Sequence, residues 1–256
     1  MKEHIYRIKN LYFSFNKKPP YIIEDANLEV RGNRLTAIVG VNGSGKSTLL
    51  KLLINFLSPS KGHIEFMNKP LAKIPPGVLS KRVSYVGQNP NEEIPLTVEE
   101  VVNLGNFPYE SFFFSPKTDS KKNLENAIEI TKIERLRNKF FTNLSIGEKQ
   151  KVMIARAACQ NTRVVLLDEP TSSLDIKNEV EIMKLLKILV KEKMKSVILI
   201  SHNLNLVSQY ADDIIFFDNG KIYSGENKNI FTANNLSAAF DSDIRETVVD
   251  DKKIFY

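Results

Sequence analysis

Apolar residues along the chain follow two patterns, short continuous runs and runs with apolar positions three and four residues apart. Continuous runs predict strands buried on both faces, and they occupy residues 35–39, 164–167 and 196–200. The spaced pattern predicts amphipathic helices, one beginning at Lys46 and one opened by Asp175 as its N-cap. Because strands and helices alternate, the sequence predicts an α/β fold whose parallel sheet carries its chemistry at the carboxyl ends of the strands.

The two ends of the chain favour antiparallel structure. Residues 5–30 are rich in β-forming residues around a Lys-Lys-Pro-Pro turn at 17–20, which predicts an antiparallel β-layer before the core. Asp218-Asn219-Gly220 predicts a hairpin turn between residues 214–217 and 221–223. Beyond Glu226 we expect a short helix over about 230–240 and a hairpin near residues 250–251.

The β-forming segments stop between about residues 91 and 143. Prolines interrupt this region at positions 90, 95, 108 and 116. A short helix is predicted by the helical spacing of Leu124, Ala127, Ile128 and Thr131. The most economical account is a helical subdomain, about residues 91–160, inserted in the α/β core.

Composition narrows the class of protein. The chain has 256 residues, 42% of them hydrophobic, and no apolar run approaches the roughly 18 residues of a membrane span. The start, residues 1–4, lacks the apolar stretch of a secretory signal, and the single cysteine, Cys159, excludes an internal disulfide. We therefore expect a cytosolic protein. Subtracting 30 acidic from 36 basic side chains leaves a net charge of +6, but these charges are spread along the chain, so no nucleic-acid partner is expected.

A glycine-rich loop between a predicted strand and a predicted helix matches the P-loop pattern. Its backbone N–H groups would converge on phosphate oxygens, and the helix N-terminus adds a partial positive charge. Lys46 would reach the β- and γ-phosphates of ATP, and the Ser47 hydroxyl would be a ligand of Mg²⁺. An ordinary glycine-rich turn would not explain this Lys-Ser pair. The residues expected to bind ATP here are Gly40, Asn42, Gly43, Ser44, Gly45, Lys46, Ser47 and Thr48.

Two carboxylates follow the buried strand at 164–167. Asp168 is expected to hold Mg²⁺ through water, because P-loop enzymes carry a second acidic ligand at the end of a neighbouring strand. Glu169, one residue further on, is placed to orient or deprotonate the attacking water. Asp-Glu is common at strand ends, but together with a P-loop the pair predicts nucleotide hydrolysis.

These motifs stand in an order that resembles the ATP-binding-cassette (ABC) ATPases across about residues 1–225. The order is the P-loop, Gln88, Leu144-Ser145-Ile146-Gly147-Glu148, Asp168-Glu169, Ser173-Leu174-Asp175 and His202. The resemblance implies that Gln88 senses Mg²⁺ and the γ-phosphate, and that His202 contacts the γ-phosphate. Phe15 aligns with the aromatic residue on which this family stacks adenine. Residues 226–256 would then be a C-terminal extension, for which the sequence indicates no function.

The Leu-Ser-x-Gly-Glu segment also has a physical interpretation of its own. Ser145 and Glu148 form a capping box that would start a helix over 146–158, and such a helix N-terminus is an anion site. By resemblance, Ser145, Gly147 and Asp175 act in trans on ATP held by a second copy of the chain. A homodimer would thus enclose two ATP molecules. Ile146 departs from the usual glycine of this segment.

The kind of ABC ATPase is indicated by residues 94–109, which resemble a stretch of importers for ferric siderophores, haem and vitamin B12, although Asn106 stands where arginine is usual. A free-standing cassette is most often the ATPase of an importer whose integral-membrane permease subunits are separate chains. We therefore expect a protein on the cytoplasmic face of the membrane that works indirectly with a solute-binding protein. Aromatic residues 112–114 are a candidate partner surface. The alternative is a soluble ABC ATPase, such as one serving iron–sulphur cluster assembly.

Overall fold

The computed structural model of the chain describes residues 4–88, 94–109, 118–218, 220–250 and 252–256. The strands are β1 (His4–Phe13), β2 (Ile23–Arg31), β3 (Leu35–Gly40), β4 (Lys61–Phe66), β5 (Lys69–Pro70), β6 (Val83–Val86), β7 (Val164–Leu167), β8 (Ser196–Ile200), β9 (Asp213–Asp218), β10 (Lys221–Glu226), β11 (Glu246–Val249) and β12 (Lys252–Phe255). The α-helices are α1 (Lys46–Leu53), α2 (Pro76–Leu79), α3 (Val98–Asn103), α4 (Thr118–Thr131), α5 (Ile146–Cys159), α6 (Ile176–Lys191), α7 (Leu204–Tyr210), α8 (Asn227–Ile230) and α9 (Ala233–Phe240). Short 3₁₀ helices cover Leu71–Lys73, Leu104–Tyr109, Glu134–Leu136 and Phe141–Asn143.

The central sheet has the strand order β10-β9-β3-β8-β7-β6. Strands β6, β7, β8, β3 and β9 pair in parallel, and only β10 is antiparallel, as the second strand of a hairpin with β9. Every residue of β3, β7 and β8 is buried, because helices and the second sheet cover both faces. The three strands predicted from continuous apolar runs are therefore confirmed, and their carboxyl ends lie at one edge of the sheet.

An antiparallel sheet with the order β2-β1-β4-β5 forms a second layer. The layer predicted from residues 5–30 is confirmed, but it is completed by β4 and β5, which come after α1. Only the second half of β4 alternates between buried and more exposed residues. Ile64 and Phe66 are buried, whereas Lys61, Gly62 and His63 are exposed. This strand joins the layer because those two side chains enter the same hydrophobic cluster as β1 and α1.

The helical region between β6 and β7 packs around α5. The short helix predicted from four apolar positions is α4, and Leu124, Ala127 and Ile128 are at most 7% exposed within its core. Helix α5 ends one residue later than predicted, at Cys159. Asn106 is fully buried, and its Nδ2 donates to Ser120 O at 3.0 Å, which ties the 3₁₀ helix after α3 to α4. The predicted start of this region at residue 91, the prolines at 90 and 116, and the aromatic residues 112–114 lie outside the described residues.

The C-terminal residues pack on the core. The predicted helix is divided into α8 and α9, and the predicted hairpin is the β11–β12 pair. Turn residues Asn219 and Asp251 lie outside the described residues. Phe231, Leu236 and Phe255 are at most 6% exposed and belong to the same hydrophobic cluster as β3 and β7. The division of the chain into residues 1–225 and 226–256 stays a prediction.

Across the described ranges, no helix combines the length and the apolar character that crossing a membrane requires.

Candidate functional site

The glycine-rich loop connects the carboxyl end of β3 to the first residue of α1. Gly45 is the N-cap of α1 and has φ 106°, in the left-handed region that favours glycine. A Cβ at this position would also lie 2.8 Å from Cγ2 of Ile22, and one at Gly40 would lie 2.6 Å from the Phe217 carbonyl oxygen. The loop is therefore held between β9 and the segment that follows β1.

Lys46 and Ser44 show what this loop is suited to bind. The Lys46 ammonium donates to the carbonyl oxygens of Gly40 at 3.0 Å and Val41 at 2.7 Å, and the residue is 5% exposed. Burial lowers its pKa, while Glu169 and Asp168 act in the opposite direction. The Ser44 Oγ atom is buried and lacks a hydrogen-bond partner among the described residues. A buried cation and an unpaired hydroxyl beside a helix N-terminus are the groups that a polyphosphate would satisfy.

Asp168 lies at the carboxyl end of β7 and is 4% exposed. Ser47 Oγ donates to its Oδ1 at 3.0 Å, and the Tyr85 hydroxyl donates to its Oδ2 at 3.2 Å. Burial raises the pKa of Asp168, whereas these two hydrogen bonds lower it. The hydroxyl and carboxylate oxygens of Ser47 and Asp168 are the hard donors that Mg²⁺ prefers, so the residues present fit this cation.

Glu169 connects two of the residues singled out from the sequence. Its Oε2 accepts a hydrogen bond from Gln88 Nε2 at 2.8 Å, and its Oε1 lies 2.9 Å from His202 Nε2. Glu169 has φ 50°, an uncommon conformation for a residue other than glycine. The backbone therefore changes direction after Asp168, at the end of β7. Gln88 follows β6 and His202 follows β8, so three parallel strands bring these side chains together.

Ser145, Gly147 and Asp175 form a second group of predicted site residues. The capping box is present: the Glu148 N–H donates to Ser145 Oγ at 3.3 Å, and the Ser145 N–H donates to Glu148 Oε2 at 3.2 Å. Asp175 caps α6, with the Asn178 N–H donating to its Oδ1 at 2.8 Å. A Cβ at Gly147 would lie 2.9 Å from the side chain of Asn178, so a larger residue where α5 meets α6 would displace that amide.

The sequence-predicted residues thus form two separate clusters. The P-loop cluster consists of residues 40–48, Gln88, Asp168, Glu169 and His202, and the signature cluster consists of Ser145, Gly147 and Asp175. Among the residues that the structure describes, no hydrogen bond or ion pair joins the two clusters. Within one chain these two clusters therefore do not meet.

Phe15 lies beside the P-loop cluster. The residue is 74% exposed, and its ring contacts Phe13 edge-on at a centroid distance of 5.3 Å. The segment 14–22 returns to the sheet where the Ile22 N–H donates to Phe13 O at 2.7 Å, and Ile22 contacts Gly45. An exposed aromatic ring at this position is available for stacking on a planar ligand.

Sequence reasoning missed Tyr85. Tyr85 pairs with Leu166 in the parallel register of β6 and β7, and this register places its hydroxyl at the carboxylate two residues beyond Leu166. No local signal marks it, because the contact depends on which strands are neighbours.

Comparison with known proteins places these features in a family. The family model for ABC transporters matches residues 23–172. A probable siderophore transport system ATP-binding protein of Bacillus subtilis is 30% identical over 227 residues, which cover 88% of this chain and 82% of that protein. A probable iron chelatin transport ATP-binding protein of Helicobacter pylori strain J99 is 31% identical over 254 residues, which cover 98% of this chain and 99% of that protein.

Solved structures agree with this assignment. A chain of an ABC transporter assigned to the metal-chelate type, solved in an inward-facing conformation, has a TM-score of 0.85 and 26% identity, covering 99% of this chain and 96% of that one. A dimeric bacterial ABC transporter cassette has a TM-score of 0.74 and 29% identity, covering 87% of this chain and 98% of that one.

Proposed function

This chain belongs to the ABC transporter family as an ATP-hydrolysing cassette, and from that premise we propose that it drives the import of a metal chelate such as an iron siderophore. In this proposal two copies of the chain bind two ATP molecules between them. Closing and reopening of this homodimer move separate permease subunits, to which a solute-binding protein delivers the chelate. The chain acts on the cytoplasmic face of the membrane.

ATP binds first to the P-loop cluster. Lys46 exchanges its bonds to two loop carbonyl oxygens for bonds to β- and γ-phosphate oxygens, and the unpaired Ser44 hydroxyl gains an acceptor. Phe15 stacks on the adenine ring. Ser47, Gln88 and, through water, Asp168 would hold Mg²⁺, which would supply positive charge to the phosphates.

The observation that carries the hydrolytic proposal is the position of Glu169. Its carboxylate lies between two donors, Gln88 and His202, next to the carboxylate of Asp168. When those donors turn to the γ-phosphate, a Glu169 oxygen is released to accept a proton from water. The water oxygen then bonds to the γ-phosphorus while the bond from that phosphorus to the bridging oxygen of ADP breaks, giving ADP and phosphate.

The signature cluster completes the site of the second copy. In a single chain this cluster is separated from the P-loop cluster, and the N-terminus of α5 at Ser145 is exposed. An exposed helix N-terminus with a capping serine binds anions, and here the anion is the γ-phosphate held by the other chain. Asp175 lines the same groove as Ser145, and Gly147 lies against Asn178, which bonds to Asp175. The dimeric structure of the related cassette supports this arrangement.

An apolar surface on the 3₁₀ segment that follows α3 is suited to the permease. Leu104 is 46% exposed and Phe107 is 73% exposed, both in the 3₁₀ segment that follows α3. This segment is tied to the core where the Tyr109 hydroxyl donates to Lys81 O at 3.2 Å. Large exposed apolar side chains on an anchored segment mark a protein contact site.

Co-purification tests the import proposal. A tagged chain extracted from detergent-solubilised membranes of its own cell is expected to bring with it a polytopic membrane protein. Phe107→Ser is expected to weaken this association, whereas the control Phe56→Ser, which alters a 75% exposed phenylalanine after α1, is expected to leave it intact. Recovery of the chain only with soluble assembly proteins would contradict the proposal.

The soluble alternative, an ATPase of iron–sulphur cluster assembly, has no observation in its favour. The relatives described above are named as transport proteins.

A further inference from the structure

We propose that Arg135 neutralises Glu148 so that ATP can approach the N-terminus of α5 across the subunit interface. Arg135 thereby acts as a positioning residue for the signature cluster, through a side chain that the ABC motifs do not include. The inference rests on the proposed homodimer.

The carboxylate of Glu148 lies in the first turn of α5, and its two oxygens bond to different residues. Oε2 accepts hydrogen bonds from the N–H and the hydroxyl of Ser145, each at 3.2 Å. Oε1 accepts a hydrogen bond from Arg135 Nη2 at 2.9 Å. Within the described part of the chain, Arg135 is the cation that forms an ion pair with this carboxylate.

Both residues line the same groove as the signature cluster. The groove has a volume of about 690 Å³, and its walls include Arg135, Ser145, Glu148 and Asp175. The Glu148 side chain is only 20% exposed, whereas that of Arg135 is 71% exposed. The guanidinium therefore covers a largely buried carboxylate from the open side of the groove, the side from which a second subunit would approach.

The charge of Glu148 explains why its ion pair with Arg135 affects ATP binding at the N-terminus of α5. A carboxylate in the first turn stabilises a free helix because it faces the positive end of the helix dipole. The γ-phosphate of ATP would use the same positive end, so an uncompensated carboxylate beside Ser145 would repel it, and more strongly once closure excludes water. A guanidinium bonded to Glu148 keeps the capping box and removes most of that repulsion.

Lys132, Lys151, Lys177 and Lys184 also line the groove, but within the described residues none of them forms an ion pair with Glu148. Lys151 forms an ion pair with Glu181 at 2.5 Å, which engages it on the α6 side of the groove. The role of Arg135 therefore depends on the charge of Glu148, and removal of that charge should make Arg135 dispensable. A direct contact between Arg135 and the partner's ATP would not have this dependence.

A double-mutant cycle tests this dependence in the Glu169→Gln background, in which ATP should hold the dimer closed. The dissociation constant of the ATP-bound dimer is measured by analytical ultracentrifugation. Arg135→Ala is expected to raise it roughly tenfold. In the Glu148→Gln background, Arg135→Ala is expected to change it less than about threefold. Arg135→Lys, which keeps the charge, should recover most of the loss.

Two further measurements make the result decisive. ATP binding to the monomer, measured at low protein concentration, should stay unchanged in Arg135→Ala. Arg245→Ala, which removes a 68% exposed guanidinium paired with Asp243 at 3.0 Å, is the control outside the groove. Equal losses with and without the charge of Glu148, or no loss at all, would overturn the inference. Failure of the parent Glu169→Gln chain to dimerise in ATP would instead overturn the homodimer, and with it the inference.

Discussion

The imidazole of His202 contacts the carboxylate of Glu169, with 2.9 Å between Nε2 and Oε1. The two residues follow different strands, β8 and β7, and Gln88 approaches the other carboxylate oxygen from a third strand, β6. The carboxylate proposed as the base is therefore engaged by side chains from two neighbouring strands. In the proposed mechanism these donors turn to the γ-phosphate, which would couple ATP binding to catalysis at this carboxylate.

Glu169→Gln is expected to lower kcat by at least about 100-fold, because the amide cannot accept the proton of the attacking water. Nucleotide binding should persist, since the amide keeps the size and polarity of the carboxylate. ATPase assays and nucleotide titrations separate the two effects. A variant with near wild-type turnover would mean that Glu169 is not the base.

Lys46→Ala should act on binding itself. It removes a buried cation from the phosphate loop, and the expected loss of ATP affinity is about 2–3 kcal/mol, or roughly 30- to 150-fold. Isothermal titration calorimetry measures this loss directly. Lys51→Ala, on an exposed side chain of the same helix, should leave the affinity unchanged. Equal losses of ATP affinity in the two variants would contradict the assignment of Lys46 as the cation that binds the phosphates.

Tyr85→Phe tests the residue that sequence reasoning missed. The change removes the hydrogen bond that orients Asp168 Oδ2, so the Mg²⁺ concentration for half-maximal ATPase activity should rise about tenfold. At saturating Mg²⁺ the variant should recover most of its kcat. Tyr223→Phe on β10 is the control. A loss of kcat that Mg²⁺ cannot restore would show that Tyr85 does not act through the metal site.

Lys195 gives a pH-dependent prediction for stability. Burial lowers its pKa to about 8, and its ammonium donates to Thr162 O at 2.5 Å. The unfolded chain, with a lysine pKa near 10.4, binds more protons between about pH 8 and 10, so this residue's contribution to stability rises with pH over that range. Lys195→Met removes the cost of the buried charge and should stabilise the protein by about 2 kcal/mol at pH 7, after about 1 kcal/mol is subtracted for the lost hydrogen bond.

The measurement is the free energy of unfolding of both proteins between pH 7 and 9.5. The advantage of Lys195→Met should shrink as pH rises, because the wild-type lysine becomes neutral in the folded state. A difference that does not change with pH would contradict the buried charge.

The parts of this fold that the sequence predicts are those with local causes. The P-loop and the capping box of Ser145 and Glu148 need fixed residue types at fixed spacing, because a single turn and a helix start must present them. The strands β3, β7 and β8 are visible because burial on both faces requires continuous apolar runs. In each case a short segment contains the whole physical requirement.

The features that the sequence does not reveal have causes far along the chain. Tyr85 reaches Asp168, 83 residues further on, through the pairing of β6 with β7, and Arg135 reaches Glu148, 13 residues further on, through the segment before α5. β4 has only two buried apolar positions and forms because β1 offers it an edge. Spacing along the chain carries no information about these neighbours.

Mixing two inactive variants tests the central claim, that each ATP site is shared between two chains. His202→Ala damages the P-loop cluster, and Ser145→Arg damages the signature cluster. A heterodimer of the two has one site with both lesions and one site with neither, so single-turnover measurements should show ATP hydrolysis that each homodimer lacks. If heterodimers form but no hydrolysis is gained, then the signature cluster does not complete the partner's site, and the account is contradicted.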